Sequence, residues 1–213
     1  MTDVKTPRGY DSRARRANAS RNREKVLDVA ERRFRAGGYA STTLAAIAAD
    51  AGVSAELIYK SFGSKGGIVK ALYDRGLAGT GPVPAYQRSD EMRERQTEPA
   101  DILEEWGRLT AEVGQTVTPI RLLLRTAAAT DPDMAALLER TEGERYERMR
   151  HHAEFLAERR YLRADVSVAD ATDVLWACSS VELYELLVLH RRWPPQRFAT
   201  FITDLMRAGL LPR

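Results

Sequence analysis

Apolar residues along the chain recur at intervals of three and four, and no stretch keeps up a period-2 alternation of β-branched residues. The pattern predicts an all-α protein of about nine helices. The first helix is expected over residues 21–36, with Val26, Leu27, Ala30 and Phe34 on one stripe and Gly37-Gly38 as its stop. Three short helices follow. Thr42 and Thr43 offer caps before the apolar run 44–49, Gly52 ends that helix, Ser54 caps a helix over 55–62, and Ser64 caps a fourth reaching about residue 77. Residues 79–99 hold Gly79, Gly81, Pro82 and Pro84 and no apolar stripe, and read as a linker. Beyond it, helices are expected over 100–114, from Thr118-Pro119 to 129, from Asp131-Pro132 to about 160, from a Ser167/Asp170 capping box to about 190, and over 196–207.

Charge sharpens this division. The formal net charge is only +3, but residues 1–75 hold fifteen Lys/Arg against eight Asp/Glu and the remainder eighteen against twenty-two, so a basic half precedes an acidic one. A basic head suits a polyanionic partner, because each neutralised phosphate releases condensed counterions. Residues 1–20 are polar, basic and poor in large aliphatics, and are expected to form a disordered arm. No run approaches the ~18 apolar residues that a membrane helix needs, and the Arg-rich start lacks the apolar core of a secretory signal. A cytoplasmic protein with no membrane partner is the expectation. Cys178 is the only cysteine, which excludes an intramolecular disulfide and any multi-thiolate metal site.

Two short capped helices joined across Ala51-Gly52-Val53 have the layout of a helix-turn-helix, whose second helix enters the major groove. The run GYASTTLAAIAADAGVSAELIYKSFGSKGGIVKAL, residues 38–72, resembles the DNA-binding head of the tetracycline-repressor-like (TetR) family of bacterial regulators. The matching positions are Gly38-Tyr39, Thr42-Thr43, Ile47-Ala48, Ala51 to Ser54, Tyr59, Phe62 and Gly63-Ser64-Lys65. The expected organisation is therefore an arm over 1–20, a DNA-binding domain over 21–78 with the helix-turn-helix proper at about 43–62, a linker over 79–99, and an effector-binding and dimerisation domain over 100–213.

For DNA contact, Thr42, Thr43, Tyr59 and Lys65 carry the hydroxyls, ammonium and helix-start amides that suit phosphate oxygens. Base reading falls to the second helix of the motif, at Ser54, Ala55, Glu56 and Lys60. Lys60 can donate to guanine, and Glu56 can accept from cytosine or merely pair with Lys60 one turn away. Arg21, within a cluster with Arg13, Arg15, Arg16 and Arg23, is a candidate for backbone or minor-groove contact, the alternative being a solvated arm. Many members of the family carry acidic residues where Gly66-Gly67 stand here, and two glycines in a first turn predict a loosened fourth helix.

The resemblance also implies a pocket for a small effector among the C-terminal helices and a homodimer built by the last two. Bulky walls with a few polar groups describe such pockets. On that ground the candidates are Trp106, Leu109, Leu123, Tyr146, Met149, His152, Trp176 and Tyr184. For the dimer interface they are Leu183, Leu187, Phe198, Phe201 and Leu205, on two stripes able to form one isologous surface.

Catalysis finds no support. Gly63 to Gly67 lacks the spacing of a phosphate loop, there is no G-x-S-x-G elbow, and only three histidines are present. His151 and His152 are about 100° apart on a helix, so they do not share a metal. Neither a metal nor a cofactor is expected. The reading is a homodimeric regulator, a repressor released from a palindromic DNA operator by a small molecule. The competing reading is a helical protein-interaction module, or a ligand-responsive activator.

Overall fold

The computed structural model describes residues 9–79, 81 and 83–212, and all the regular structure among them is helical. The chain divides into two compact units, Met1–Leu72 and Tyr73–Arg213. The division falls inside a helix, before the residue 78 expected from the sequence.

In the first unit, helix α1 (Gly9–Ser41) kinks at Gly38 (φ 78°). Residues 9–20, read as part of a disordered arm, are the first turns of this helix. Alanines and arginines favour helix there, and residues 13–20 are exposed on it, so the low hydrophobicity that suggested disorder reflects a solvated helix face. The remainder of that expected arm, residues 1–8, lies outside the described residues. Val26, Leu27, Ala30 and Phe34 form the buried stripe of α1, which packs against helix α2 (Leu44–Ala51), itself in contact with helix α3 (Ala55–Phe62). Ile47 and Ile58 are fully enclosed. Between α2 and α3, Gly52 takes φ 65° and ψ 37° and sends its N–H back to the α2 carbonyls. A Cβ is strained in that left-handed conformation.

Helix α4 (Lys65–Ala78) starts under a Ser64 hydroxyl that accepts the Gly67 N–H at 3.0 Å. A Cβ on Gly67 would stand 1.8 Å from the Phe62 carbonyl oxygen. The glycine that was expected to loosen α4 instead lets the helix begin directly against the end of α3.

The second unit contains α5 (Ala85–Arg95), α6 (Pro99–Ala128), α7 (Pro132–Glu158), α8 (Val168–Cys178), α9 (Val181–Tyr184) and α10 (Pro195–Leu210). Three boundaries differ from expectation. The presumed linker over 79–99 contains α5, which lacks an apolar stripe because it buries only Ala85 and Ser89. The two helices expected on either side of Thr118-Pro119 are one, α6, with Pro119 inside it. Val117, Ile120 and Leu124 continue the buried stripe of Ile102, Leu103 and Trp106, and this burial outweighs the roughly 3 kcal/mol that an internal proline costs. The helix expected over 168–190 breaks at Ser179-Ser180, where the Ser180 hydroxyl caps α9. α9 then widens into a π-helical segment, Glu185–His190. The core of this unit joins α6, α7, α8 and α10 through Trp106, Leu156, Leu175, Phe198, Ile202 and Met206.

Candidate nucleic-acid interface and effector cavity

In the first unit, α3 buries Ile58 and leaves Ser54, Ala55, Glu56, Tyr59 and Lys60 exposed, Tyr59 by 57%. One apolar anchor therefore presents an entire polar face, as a groove-reading helix requires. Ser54 fixes the start of α3 by accepting the Leu57 N–H at 3.2 Å, and Thr43 does the same for α2 with Ala46 at 3.1 Å. Thr43 is exposed and borders the free amides of α2.

Two proposed phosphate contacts are placed otherwise. Thr42 is 3% exposed and its hydroxyl donates to the Gly38 carbonyl at 2.9 Å. The Lys65 ammonium donates to the carbonyls of Tyr39 (2.9 Å) and Thr42 (3.1 Å) and lies 4.0 Å from the centre of the Tyr39 ring. Lys65 thus ties the start of α4 to the turn before α2. Its spacing in the sequence matched a phosphate contact, but the nearest acceptors are the chain's own carbonyls. Arg23 is likewise engaged, donating to the Ser61 carbonyl at 3.0 Å and lying over the Phe62 ring. Arg33 pairs with Asp50 at 2.8 Å. Arg13, Arg15, Arg16 and Arg21 are exposed on α1.

The second unit encloses a cavity of about 450 Å³. Of the candidates named from the sequence, Trp106, Leu109, Met149, His152 and Tyr184 line it. Leu123, Tyr146 and Trp176 do not. Tyr146 instead donates to Asp173 on α8 and meets Trp176 edge-on, with Trp176 37% exposed. All three are bulky residues on helices that do border the cavity, but they project from other faces.

Residue types that resembled surface charge also line the cavity: Arg121, Arg145 and Arg148. Arg121 is 5% exposed, donates to the Thr141 hydroxyl at 2.7 Å and pairs with Glu142. Arg145 shares the same carboxylate at 2.7 Å and donates to the Trp176 carbonyl and the Ser179 hydroxyl. Burial pulls the Arg145 guanidinium down to about 10. One carboxylate thereby binds α6 and α7 together while Arg145 reaches α8. Arg121 had a signal, a lone cation within the apolar run Pro119 to Leu124; Arg145 and Arg148 had none. Cys178, also in the wall, is buried, and desolvation pushes its thiol up to about 11.

Of the proposed interface residues, Phe198 is fully buried and packs edge-on against Tyr184 at 5.2 Å, so it belongs to the monomer core. It lies on the inner side of the α10 stripe, a side that helical periodicity cannot tell from an outer one. Leu183, Leu187 and Phe201 are half-buried and Leu205 is 39% exposed. Leu186 and Leu189 of the π-helical segment are 53% and 45% exposed.

A capped helix-turn-helix in one unit and a cavity-bearing helical bundle in the other define the architecture of a DNA-binding regulator. Residues 26–72 match the model of the bacterial regulatory proteins of the tetR family. The fold over about nine tenths of the chain matches solved structures at low identity. One is a protein of Syntrophomonas wolfei str. Goettingen described as a TetR-family transcriptional regulator (18% identity, 89% of this chain and 94% of that one, TM-score 0.72). Another is NalD of Pseudomonas aeruginosa, the secondary repressor of the MexAB-OprM multidrug efflux pump (19%, 91% and 97%, TM-score 0.70). A third is SmeT, solved with triclosan (18%, 90% and 92%, TM-score 0.71). No curated protein matches the chain in sequence. The chain thus carries the DNA-binding module of the tetR family over residues 26–72 and has the all-helical fold of TetR-like regulators. No helix among the described residues is long and apolar enough to cross a membrane.

Proposed function

We propose that the protein is a homodimeric repressor that holds a palindromic operator until a small effector enters the cavity of its second unit. The observation that carries the DNA-binding part is the exposed face of α3, anchored by the fully buried Ile58. On that face Lys60 and Glu56 read base edges, while Tyr59 and Thr43 set the register on the phosphates. The effector part draws on the cavity, whose size suits a small molecule. Release requires that the effector bind the operator-incompetent state more tightly than the competent one.

The test is selection of bound genomic fragments by the purified full chain, followed by gel shifts on the recovered site and a scrambled copy. Tyr59→Phe should weaken both DNAs alike. Lys60→Ala should cost about 1–3 kcal/mol on the recovered site and change the preferred base at one position. Equal losses on both DNAs for Lys60→Ala overturn its base-reading role, and failure to enrich any fragment at low salt overturns the regulator reading in favour of a protein-interaction module.

A further inference from the structure

The cavity in the second unit holds polar atoms that the protein leaves without partners. Trp106 Nε1, Thr118 Oγ1 and His152 Nδ1 make no hydrogen bond, and the three side chains are 5%, 0% and 4% exposed. All three residues line the cavity, and the Trp106 and His152 rings lie 4.2 Å apart at their centres. Buried polar groups in folded proteins are nearly always paired. Unpaired ones that converge on a cavity mark where a ligand supplies the partner.

The surrounding bonds fix the roles of these atoms. Ser89 Oγ has one proton, and the Tyr86 carbonyl takes it at 2.8 Å. Ser89 therefore acts as acceptor toward Arg148 Nη2 at 2.8 Å and toward His152 Nε2 at 3.4 Å. Nε2 then carries the proton of a neutral ring, which leaves Nδ1 as a lone-pair acceptor. Burial and the cations of Arg148 and Arg93 act in the same direction, holding His152 well below the usual imidazole range. Trp106 Nε1–H is a donor only. The wall thus offers one acceptor and one donor side by side, among Leu109, Met149, Leu175 and Met206. Its cations are engaged in shared ion pairs, Arg121 and Arg145 with Glu142 and Arg148, together with Arg93, with Asp90, and Arg148 Nε is buried without a partner. Asp74 and Glu144 also line the wall, so the guanidiniums face carboxylates of comparable number and the cavity favours neither an anionic nor a cationic ligand.

Building on the effector reading above, we propose that the effector is an uncharged, largely apolar molecule carrying a hydroxyl group. Its proton goes to His152 Nδ1 and its oxygen accepts from Trp106 Nε1–H, with Thr118 Oγ1 as a further anchor.

Calorimetric titration of the full chain with 4-butylphenol, its methyl ether 4-butylanisole, and butylbenzene tests this. The phenol should bind about tenfold or more tightly than the ether, the usual scale for one hydrogen bond to a buried partner. His152→Leu should bring the phenol down to the affinity of the ether while leaving the ether unchanged. His152→Gln, which keeps an acceptor oxygen, should restore part of the difference. If His152→Leu fails to fold, Trp106→Phe serves instead, keeping an aromatic ring and losing the donor. Equal affinities for phenol and ether in the unaltered chain overturn the hydroxyl assignment and leave the effector cavity standing. Exclusion of all three probes, butylbenzene included, overturns the effector reading itself.

Discussion

His152 illustrates how a single buried titratable group sets a pH window. Its pKa in the folded state lies well below the ordinary 6.5 because of burial and the nearby charges of Arg148, Arg93 and His151. Above pH 6.5 both folded and unfolded chains hold a neutral imidazole and nothing is lost. Below it the unfolded chain takes up a proton that the folded chain refuses, so stability falls as pH falls, by about 1.4 kcal/mol per pH unit. His152→Gln should flatten that slope in urea titrations between pH 6.5 and 5, and an unchanged slope would refute the assignment. Glu142 carries a different kind of weight, because it is a carboxylate paired with both Arg121 and Arg145. Glu142→Gln leaves two largely buried guanidiniums without a counter-ion. Since Glu142 is partly exposed, we expect a loss of only about 2 kcal/mol, or roughly 4–8 °C in Tm by calorimetry.

At the scale of elements, α1 carries a testable consequence of its early start. Arg13, Arg16, Ser20 and Arg23 fall within about 80° of one another on a helix, and Arg23 reaches Ser61 and Phe62 at the end of α3. We expect Arg13 and Arg16 to extend the phosphate contacts of α3 along one strand. The double substitution to alanine should lower affinity for all sequences alike and reduce the slope of log K against log salt by about 2. An unchanged slope would leave these arginines as solvated charge. This helix also shows what the sequence conveyed and what it withheld. The caps at Thr43, Ser54 and Ser167 and the turn at Gly52 are local chemistry, and all stand where the sequence placed them. The start of α1, the unity of α6 through Pro119 and the existence of α5 depend on what each segment packs against, which no window of the chain records. The cavity divides in the same way. Bulky cavity residues such as Trp106 and Tyr184 were recognisable by type, whereas Arg145 owes its place in the wall to a carboxylate on its own helix and a carbonyl on another.

At the scale of the molecule, one helix-turn-helix reads too few base pairs to select a site in a genome, and a palindrome read by two copies supplies the missing discrimination. A second copy needs a surface. Leu186 and Leu189 on the π-helical segment and Leu205 on α10 are the large aliphatics left exposed among the described residues of the second unit, and α10 packs against the π-helical segment. The wide turns of that segment break the α-helical register, which is one way to turn leucines outward that a regular helix would direct inward. Solvating such a face is unfavourable by about 25 cal/mol per Å² of apolar area, so a standard interface of ~1,600 Å² gains enough to hold two chains together. Leu186→Arg with Leu205→Arg should therefore give a monomer by light scattering without lowering Tm in proportion, because neither residue supports the monomer core. The same monomer should still bind a single half-site at low salt and lose its advantage on the full palindrome, where the half-site centres lie about 34–36 Å apart. A variant that stays dimeric places the interface elsewhere on the second unit. A monomer that keeps full affinity for the palindrome would show instead that operator recognition does not depend on pairing.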